Sequence, residues 1–150
     1  MLLLILVHQR DKKIVKKKHL GYILESFSNN GILNTMRELY FYNAEVTRIV
    51  DGDTIDVIID LGFNIWIKER LRLYGLNTPE TRTKDAEEKE KGLKAKKYVE
   101  NQINSNSGMV QIQSFGKGKY GRVLAEVWVG KSNLNEALIS NGHAEIYMTD

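Results

Sequence analysis

Three segments of alternating polar and apolar residues, separated by turn signals, constrain the fold of this chain most. They span residues 44–50, 54–59 and 65–76, and the Asp51-Gly52 pair and Gly62 separate them. Alternation of this kind is typical of β-strands with one buried face. Aspartate followed by glycine favours a tight hairpin. The sequence therefore predicts a meander of three antiparallel strands.

A helix is predicted after the meander. Residues 81–91 carry many charges and no apolar periodicity, so we predict a mobile surface loop there. Beyond the loop, Ala95, Val99 and Ile103 recur every fourth residue, which places them on one face of a helix. Residues 105–108 end this helix.

The last third of the chain adds two strands and a short helix. The strands are predicted at residues 109–115 and 122–129, and a capping box at residues 133–136 opens a helix that ends at Gly142. The order is β-β-β-α-β-β-α. We therefore predict a mainly β fold with helices (α+β), a five-stranded OB-fold β-barrel. That architecture commonly binds oligonucleotides.

The basic character of the chain is confined to its N-terminal part. The 150 residues suffice for one domain and carry a formal net charge of +3. Residues 1–35 hold six Lys or Arg and two Asp or Glu, so the remainder has a net charge of −1. We predict one OB-fold domain over residues 36–150. Residues 1–35 are interpreted as a basic extension. Three explanations compete: an arm that contacts phosphates, a disordered leader, or an upstream stretch translated before a natural start at Met36.

The N-terminal sequence does not predict a membrane partner. Residues 1–7 are apolar, but a helix needs about 20 residues to span a bilayer. The positive charges follow this apolar run, which is the reverse of their order in a signal peptide. We therefore expect a cytoplasmic monomer, with secretion as the alternative. The absence of cysteine excludes disulfides, zinc–thiolate sites and cysteine nucleophiles.

Three short motifs contain the polar residues with chemical potential. They are D-G-D-T at residues 51–54, R-L-Y-G-L-N-T-P-E at residues 72–80 and K-Y-G-R at residues 119–122. Each has an ordinary structural explanation, because Asp-Gly pairs, the Asn-Thr-Pro segment and glycine-rich stretches all form turns. The first motif does not match a calcium loop of the EF-hand type, since Asp56 and Gly62 stand where that loop needs glycine and glutamate.

Taken in order and at this spacing, the three motifs resemble those of the staphylococcal nuclease (thermonuclease) family. The family patterns are D-G-D-T, R-x-x-x-x-D-T-P-E and K-Y-G-R, and residues 135–138 also resemble the family's last helix. The likeness covers residues 40–147. It implies an OB-fold enzyme that hydrolyses phosphodiester bonds in DNA and RNA with one calcium ion.

The resemblance also implies a role for each matching residue. Asp53, Asn77 and the backbone carbonyl of Thr78 would be the metal ligands. Arg72 and Arg122 would bind the scissile phosphate and stabilise the charge that develops on it, and Glu80 would be the general base. Lys119 and Tyr120 would bind a neighbouring phosphate or the nucleotide. Attack on a phosphodiester anion requires cations where negative charge develops. Two guanidinium groups and a metal ion would supply them.

Asn77 departs from the family pattern, which has aspartate at this position. An amide oxygen still coordinates calcium, but the site loses one negative charge. We estimate that this lowers calcium affinity by roughly one to three orders of magnitude. The enzyme would then need high calcium or another hard divalent cation. The alternative function is a catalytically weakened or inactive OB-fold module that binds nucleic acid or protein.

Overall fold

The computed structural model describes residues 40–147 in full and, before them, the backbone of residues 24–27 and 33–37. The chain divides into two compact units, Met1–Leu39 and Tyr40–Asp150. In the first unit, strand β1 (Leu24–Phe27) pairs with strand β2 (Leu33–Arg37) in an antiparallel hairpin. The basic stretch on which the predicted extension depends, residues 10–18, lies outside the described residues.

The second unit is a closed five-stranded barrel with two helices. The barrel strands are β3 (Phe41–Asp51), β4 (Thr54–Asp60), β5 (Trp66–Leu73), β7 (Met109–Lys117) and β8 (Val123–Val129). They pair antiparallel in the order β5-β4-β3-β7-β8, and a short parallel pairing of β5 with β8 closes the barrel. The predicted α+β class and the OB-fold barrel are confirmed.

Two helices and three two-residue strands complete this unit. The helices are α1 (Ala86–Ser105), which precedes β7, and α2 (Leu134–Ser140). The small strands are β6 (Leu76–Asn77), which pairs with β10 (Glu145–Ile146), and β9 (Ser132–Asn133), which extends β8. No helix in the part of the chain that the structure describes is long and apolar enough to cross a membrane.

The alternating apolar residues fill the barrel, as their period of two predicts. Every second residue of β4, from Ile55 to Ile59, is buried, and so are Leu71 and Leu73 of β5. Helix α1 covers one end with a stripe that includes Val99 and Ile103. Burying side chains of this size contributes about 1.5–3 kcal/mol each. This core fixes the register of the strands that carry the polar motifs.

The third predicted strand is shorter than expected, because Gly75 interrupts it. Gly75 has φ +78°, a left-handed conformation that glycine adopts without steric cost. Strand β5 therefore ends at Leu73, and the chain turns before the two residues of β6. The turn redirects residues 76–80 across the end of the barrel. Strand alternation alone gave no sign of this change of direction.

The predicted mobile loop at residues 81–91 is wrong in its second half. Helix α1 begins at Ala86, and the Asp85 carboxylate caps it by accepting hydrogen bonds from the N–H groups of Glu87 and Glu88. Ion pairs join Glu87 to Lys91 and Glu90 to Lys94 along the exposed side. This first part of the helix lacks an apolar stripe because its side chains face solvent, and Gly92 is its first buried residue.

Asn135 joins helix α2 to the barrel through three backbone hydrogen bonds. Its Oδ1 accepts from the Val127 N–H at 3.1 Å, and its Nδ2 donates to the carbonyls of Tyr74 at 2.9 Å and Ala125 at 3.2 Å. The residue is only 4% exposed, so water cannot replace these partners. A residue at the start of α2 thereby links β8 to the chain just after β5.

We expect Asn135→Ala to lower the free energy of unfolding by roughly 2–4 kcal/mol, because it leaves buried backbone groups without partners. Urea denaturation followed by circular dichroism measures this change. Asn104→Ala is the control, since Asn104 is exposed on α1 and its side chain makes no hydrogen bond within residues 40–147. An equal small effect of both substitutions would contradict the linking role of Asn135.

Candidate active site

Asp53 occupies the turn between β3 and β4 and anchors the Thr78 corner. Its side chain is nearly buried, its Oδ2 accepts from the Thr78 N–H at 3.1 Å, and its Oδ1 accepts from the Thr54 hydroxyl at 2.9 Å. The preceding residue is Gly52, where a Cβ atom would lie 2.9 Å from the Ala95 Cβ. Two segments that are 25 residues apart therefore meet at one carboxylate.

Arg72 lies beside this carboxylate, on the outer face of β5. Its Nη1 forms an ion pair with Asp53 Oδ2. Its Nη2 donates to the Asn77 side-chain oxygen at 2.7 Å and to the Leu76 carbonyl at 3.3 Å. The guanidinium group therefore lies between Asp53 and Asn77, two of the three predicted metal ligands. The bonds to Leu76 and Asn77 are possible because the turn at Gly75 brings β6 back over the end of β5.

The charges of Arg122 and Glu80 change the pKa of the Arg72 guanidinium group. Burial lowers the pKa of Arg72, and the neighbouring positive charge of Arg122 lowers it further. Glu80, Tyr147 and Asp51 oppose this shift. The parallel pairing of β5 with β8 explains the approach, because it aligns Arg72 with Leu124, two residues after Arg122. The barrel closure thus brings Arg122 close to Arg72 and Glu80, which lie about 40 to 50 residues earlier in the chain.

The hairpin that follows β7 presents the third motif to solvent. The Gly118 N–H donates to the Arg122 carbonyl at 2.9 Å, and Gly121 has φ +73°. Tyr120 is 84% exposed, and its ring centroid lies 5.8 Å from the Arg122 guanidinium carbon. Lys119 is exposed in the same turn. The predicted binding residues therefore border the pair of arginines.

The Pro79 corner packs directly against helix α1. A Cβ atom at Gly92 would lie 2.7 Å from the Pro79 carbonyl oxygen and 2.8 Å from the Glu80 carbonyl carbon. Glycine in the middle of a helix costs about 1 kcal/mol relative to alanine, so a packing reason is needed. The close approach of the Gly92 backbone to the backbone of Pro79 and Glu80 supplies this reason. Gly92 therefore sets the position of Glu80.

We expect Gly92→Ala to lower the free energy of unfolding by about 1–3 kcal/mol, although alanine is the better helix former. The added methyl group would displace the corner that carries Glu80. Thermal unfolding measures the change in stability. Lys89→Ala, at an exposed position one turn earlier, is the control. A stabilised Gly92→Ala protein would contradict the packing argument.

The three predicted metal ligands are oxygen donors of the type that a hard cation prefers. They are the Asp53 carboxylate, the Asn77 amide oxygen and the Thr78 carbonyl, and a cationic group already fits between the first two. Asp53 is the only anionic ligand among them, and residues 40–147 contain no cluster of three His, Cys, Asp or Glu that could hold a metal ion. These donors fit calcium in chemistry but provide little negative charge.

Two residues that the resemblance does not assign to the site, Asp51 and Tyr147, also contact it. The Asp51 side chain accepts a hydrogen bond from the Thr81 hydroxyl at 2.5 Å, which ties the end of β3 to the residue after Glu80. The Tyr147 N–H donates to the Gly75 carbonyl at 2.9 Å and brings this tyrosine near Arg72. The first aspartate of the D-G-D-T motif was a usable signal for Asp51. The approach of Tyr147 depends on the pairing of β6 with β10, which no local pattern indicates.

Comparison of the sequence with known proteins identifies its family. The model of the family described as "Staphylococcal nuclease homologue" matches residues 70–150, more than half of the chain. The chain belongs to the staphylococcal nuclease family. The match includes Arg72, Glu80 and Arg122, whereas Asp53 lies before it.

Three relatives are 29% to 35% identical to this chain in the matched region, and each extends beyond that region. An uncharacterised protein of Methanocaldococcus jannaschii is 29% identical over 154 residues, covering 87% of this chain and 71% of its own length. The thermonuclease of Staphylococcus hyicus is 31% identical, covering 79% of this chain and 64% of its own length. The endonuclease YncB of Bacillus subtilis is 35% identical, covering 69% of this chain and 47% of its own length. The chain thus spans about half to two thirds of the two nucleases.

Proposed function

We propose that this member of the staphylococcal nuclease family hydrolyses phosphodiester bonds in DNA, RNA or both. The observation that carries the proposal is the convergence of Arg72 and Arg122 with Glu80 where β5 pairs with β8. Two relatives named as nucleases support it. A pair of guanidinium groups beside one carboxylate matches the needs of an anionic substrate attacked by water.

In the proposed reaction, the two arginines bind the non-bridging oxygens of the scissile phosphate. Glu80 is exposed, so a water molecule can reach it, and its carboxylate accepts the proton of the attacking water. As the water oxygen bonds to phosphorus, negative charge builds on the phosphoryl oxygens opposite the guanidinium groups. The bond to the leaving sugar oxygen then breaks, and this oxygen takes a proton from solvent. Lys119 and Tyr120 bind the adjoining nucleotide.

We propose calcium as the cofactor, held by Asp53, Asn77 and the Thr78 carbonyl, or another hard divalent cation in its place. When bound, such a cation supplies additional positive charge to the phosphate. Arg72 makes bonds to Asp53 and Asn77. It would have to exchange these bonds for bonds to the substrate phosphate when the cation binds. The bonds to Asp53 and Asn77 thus keep Arg72 close to the place where it would bind the phosphate.

The second candidate function is a module that binds nucleic acid or protein without cutting. Asn77 favours it, because the site has one anionic ligand fewer than the family pattern and Arg72 already neutralises Asp53. The retention of Glu80 together with both arginines favours the enzyme. The two functions differ in their dependence on divalent cations, since binding by such a module does not require one.

Digestion of heat-denatured DNA across a calcium titration tests the proposal. Cleavage that appears with calcium and disappears with a chelator is the expected result, and Asn77 should shift it toward millimolar calcium. The same titration with magnesium and manganese identifies a different hard cation. Retarded migration of DNA in a gel, without cleavage at any cation concentration, would contradict the enzyme and favour the binding module.

A further inference from the structure

Four polar or aromatic residues form a row along one face of strand β5. Trp66, Lys68, Arg70 and Arg72 are alternate residues of β5, so their side chains share the face opposite to the buried Leu71. Alternate residues on a strand lie about 6.8 Å apart, so the row extends about 20 Å from Arg72 to Trp66. We call these four residues the β5 row. The row begins in the proposed active site and leads away from it.

A surface trough connects the β5 row to the hairpin of the third motif. The trough has a volume of about 550 Å³, and its walls include Lys68 and Arg70 on one side and Tyr120 and Arg122 on the other. It is an open trough rather than an enclosed cavity, so it suits a long ligand that runs along it. The proposed scissile phosphate, bound by Arg122, would lie at one end of this path.

The trough retains positive charge after its acidic residues are counted. Asp56 is bound by Arg70, at 2.6 Å from Nε to Oδ1 and 2.9 Å from Nη2 to Oδ2. Glu69 pairs with Lys117 at 2.9 Å. Lys68 forms no ion pair with any residue in the range 40–147, so its charge is available to an anion. An unpaired lysine and Arg122 in one trough are complementary to a phosphate backbone.

The far end of the row is aromatic and rigid. Trp66 is 58% exposed, and Phe63, at the tip of the β4–β5 hairpin, is 96% exposed. Backbone hydrogen bonds of 2.9 Å from Leu61 N–H to the Ile65 carbonyl and from Ile65 N–H to the Gly62 carbonyl hold this hairpin. Exposed aromatic rings on a rigid support are suited to stacking with unpaired bases, which contributes roughly 1–3 kcal/mol per base in known complexes.

We propose that the β5 row is a binding track for single-stranded nucleic acid, in which Lys68 contacts a phosphate that flanks the cleavage site and Trp66 stacks on a base a few nucleotides away. This inference rests on the proposed function, because it takes the substrate of that site as its ligand. A duplex cannot offer an unstacked base, so the track gives the protein a preference for single strands. It also makes affinity depend on the length of the substrate.

The surface of the row favours nucleic acid over a second copy of the chain. Along one line, cations lie between an exposed aromatic ring and the proposed phosphate site, which matches a polymer of phosphates and bases. A protein interface of ordinary size has a core depleted of charge, whereas here Lys68 and Arg70 lie between the aromatic residues and the arginine pair. A second copy covering Trp66 is therefore the competing outcome of the test.

Fluorescence of Trp66 tests the track directly. The chain has two tryptophans, Trp66 and Trp128, so Trp128→Phe leaves Trp66 as the only reporter. We expect a thymidine octanucleotide to quench this emission in the presence of EDTA, where cleavage does not occur, and a dinucleotide to quench it far less. Anisotropy of a labelled octanucleotide should show affinity weakened roughly 5- to 150-fold by Trp66→Ala.

Lys68→Ala tests the phosphate contact. It should reduce the slope of log affinity against log salt concentration by about 0.7, the value for one lost contact to a single strand. Lys131→Ala is the matched control, because Lys131 is an exposed lysine beyond the opposite end of β8 from Arg122. Its salt slope and octanucleotide affinity should equal those of the parent protein.

Three results would distinguish failure of the track from failure of the proposed function. Octanucleotide binding with unchanged Trp66 emission, and with equal affinity in Trp66→Ala and Lys68→Ala, would overturn the track even if the protein cleaves DNA. Trp66 emission that changes with protein concentration alone would also overturn it, in favour of a second copy. Quenching by the octanucleotide in a protein that cleaves nothing would support the track and refute the nuclease.

Discussion

Replacement of Arg122 with alanine is expected to lower kcat/KM for heat-denatured DNA by roughly 10³- to 10⁵-fold, the range measured for arginines that stabilise phosphoryl transition states. Arg122 and Arg72 are the two guanidinium groups that meet at the barrel closure, and Arg72 is engaged by Asp53 and Asn77. Loss of Arg122 therefore removes the guanidinium group that is more readily available to a phosphate. Initial rates at several substrate concentrations measure the effect.

The fold should survive this substitution. The backbone bond from the Gly118 N–H to the Arg122 carbonyl does not involve the side chain, and Arg122 is only half-buried. Arg122→Lys keeps the charge but loses the planar fork, so it should show intermediate activity. Lys131→Ala should retain parental activity and stability. Undiminished cleavage by a folded Arg122→Ala protein would remove this residue from the proposed mechanism.

The sequence reveals the three motifs because each stands at a structural boundary. Asp53 ends a hairpin turn, Thr78 and Glu80 follow the turn at Gly75, and Arg122 directly precedes a strand. Turn residues and strand alternation are local properties, so a sequence reveals them. Their roles as ligands, base and phosphate contacts remain predictions.

The parts that sequence alone did not predict depend on contacts between distant segments. The Asp53–Thr78 hydrogen bond and the approach of Gly92 to Pro79 join residues that no periodicity relates. Apolar periodicity does not locate the start of α1, because the first turns of this helix are solvated. Asp85 was an available capping signal for that start.

The β5 row shows a different limit of sequence reasoning. Alternation along a strand places Arg70 and Arg72 on one face, and the strand register agrees by aligning them with Asp56 and Thr54 of β4. Alternation did not indicate which charges remain unpaired. That property depends on the Arg70–Asp56 and Lys117–Glu69 pairs, and the latter links two strands almost 50 residues apart.

Replacement of Asn77 with aspartate is expected to lower the calcium concentration for half-maximal activity by roughly 10- to 1,000-fold, because it adds a negative charge beside the proposed cation. Asn77 Oδ1 lies 2.7 Å from Arg72 Nη2, so the new carboxylate also gains a charged partner when calcium is absent. That competition reduces the gain in calcium affinity, but a divalent cation attracts the carboxylate more strongly than a guanidinium group does. A rise in activity at low calcium is the net expectation.

Calcium binding can be measured without activity, by the increase in the unfolding temperature across a calcium titration. Asn77→Asp should show this increase at lower calcium than the parent protein. Asn101→Asp, an exposed position on α1, adds the same charge far from Asp53 and should leave the titration unchanged. If Asn77→Asp and the parent protein respond to calcium at the same concentration, residue 77 is not a ligand. The Arg72–Asn77 bond would then be a structural contact that positions the arginine.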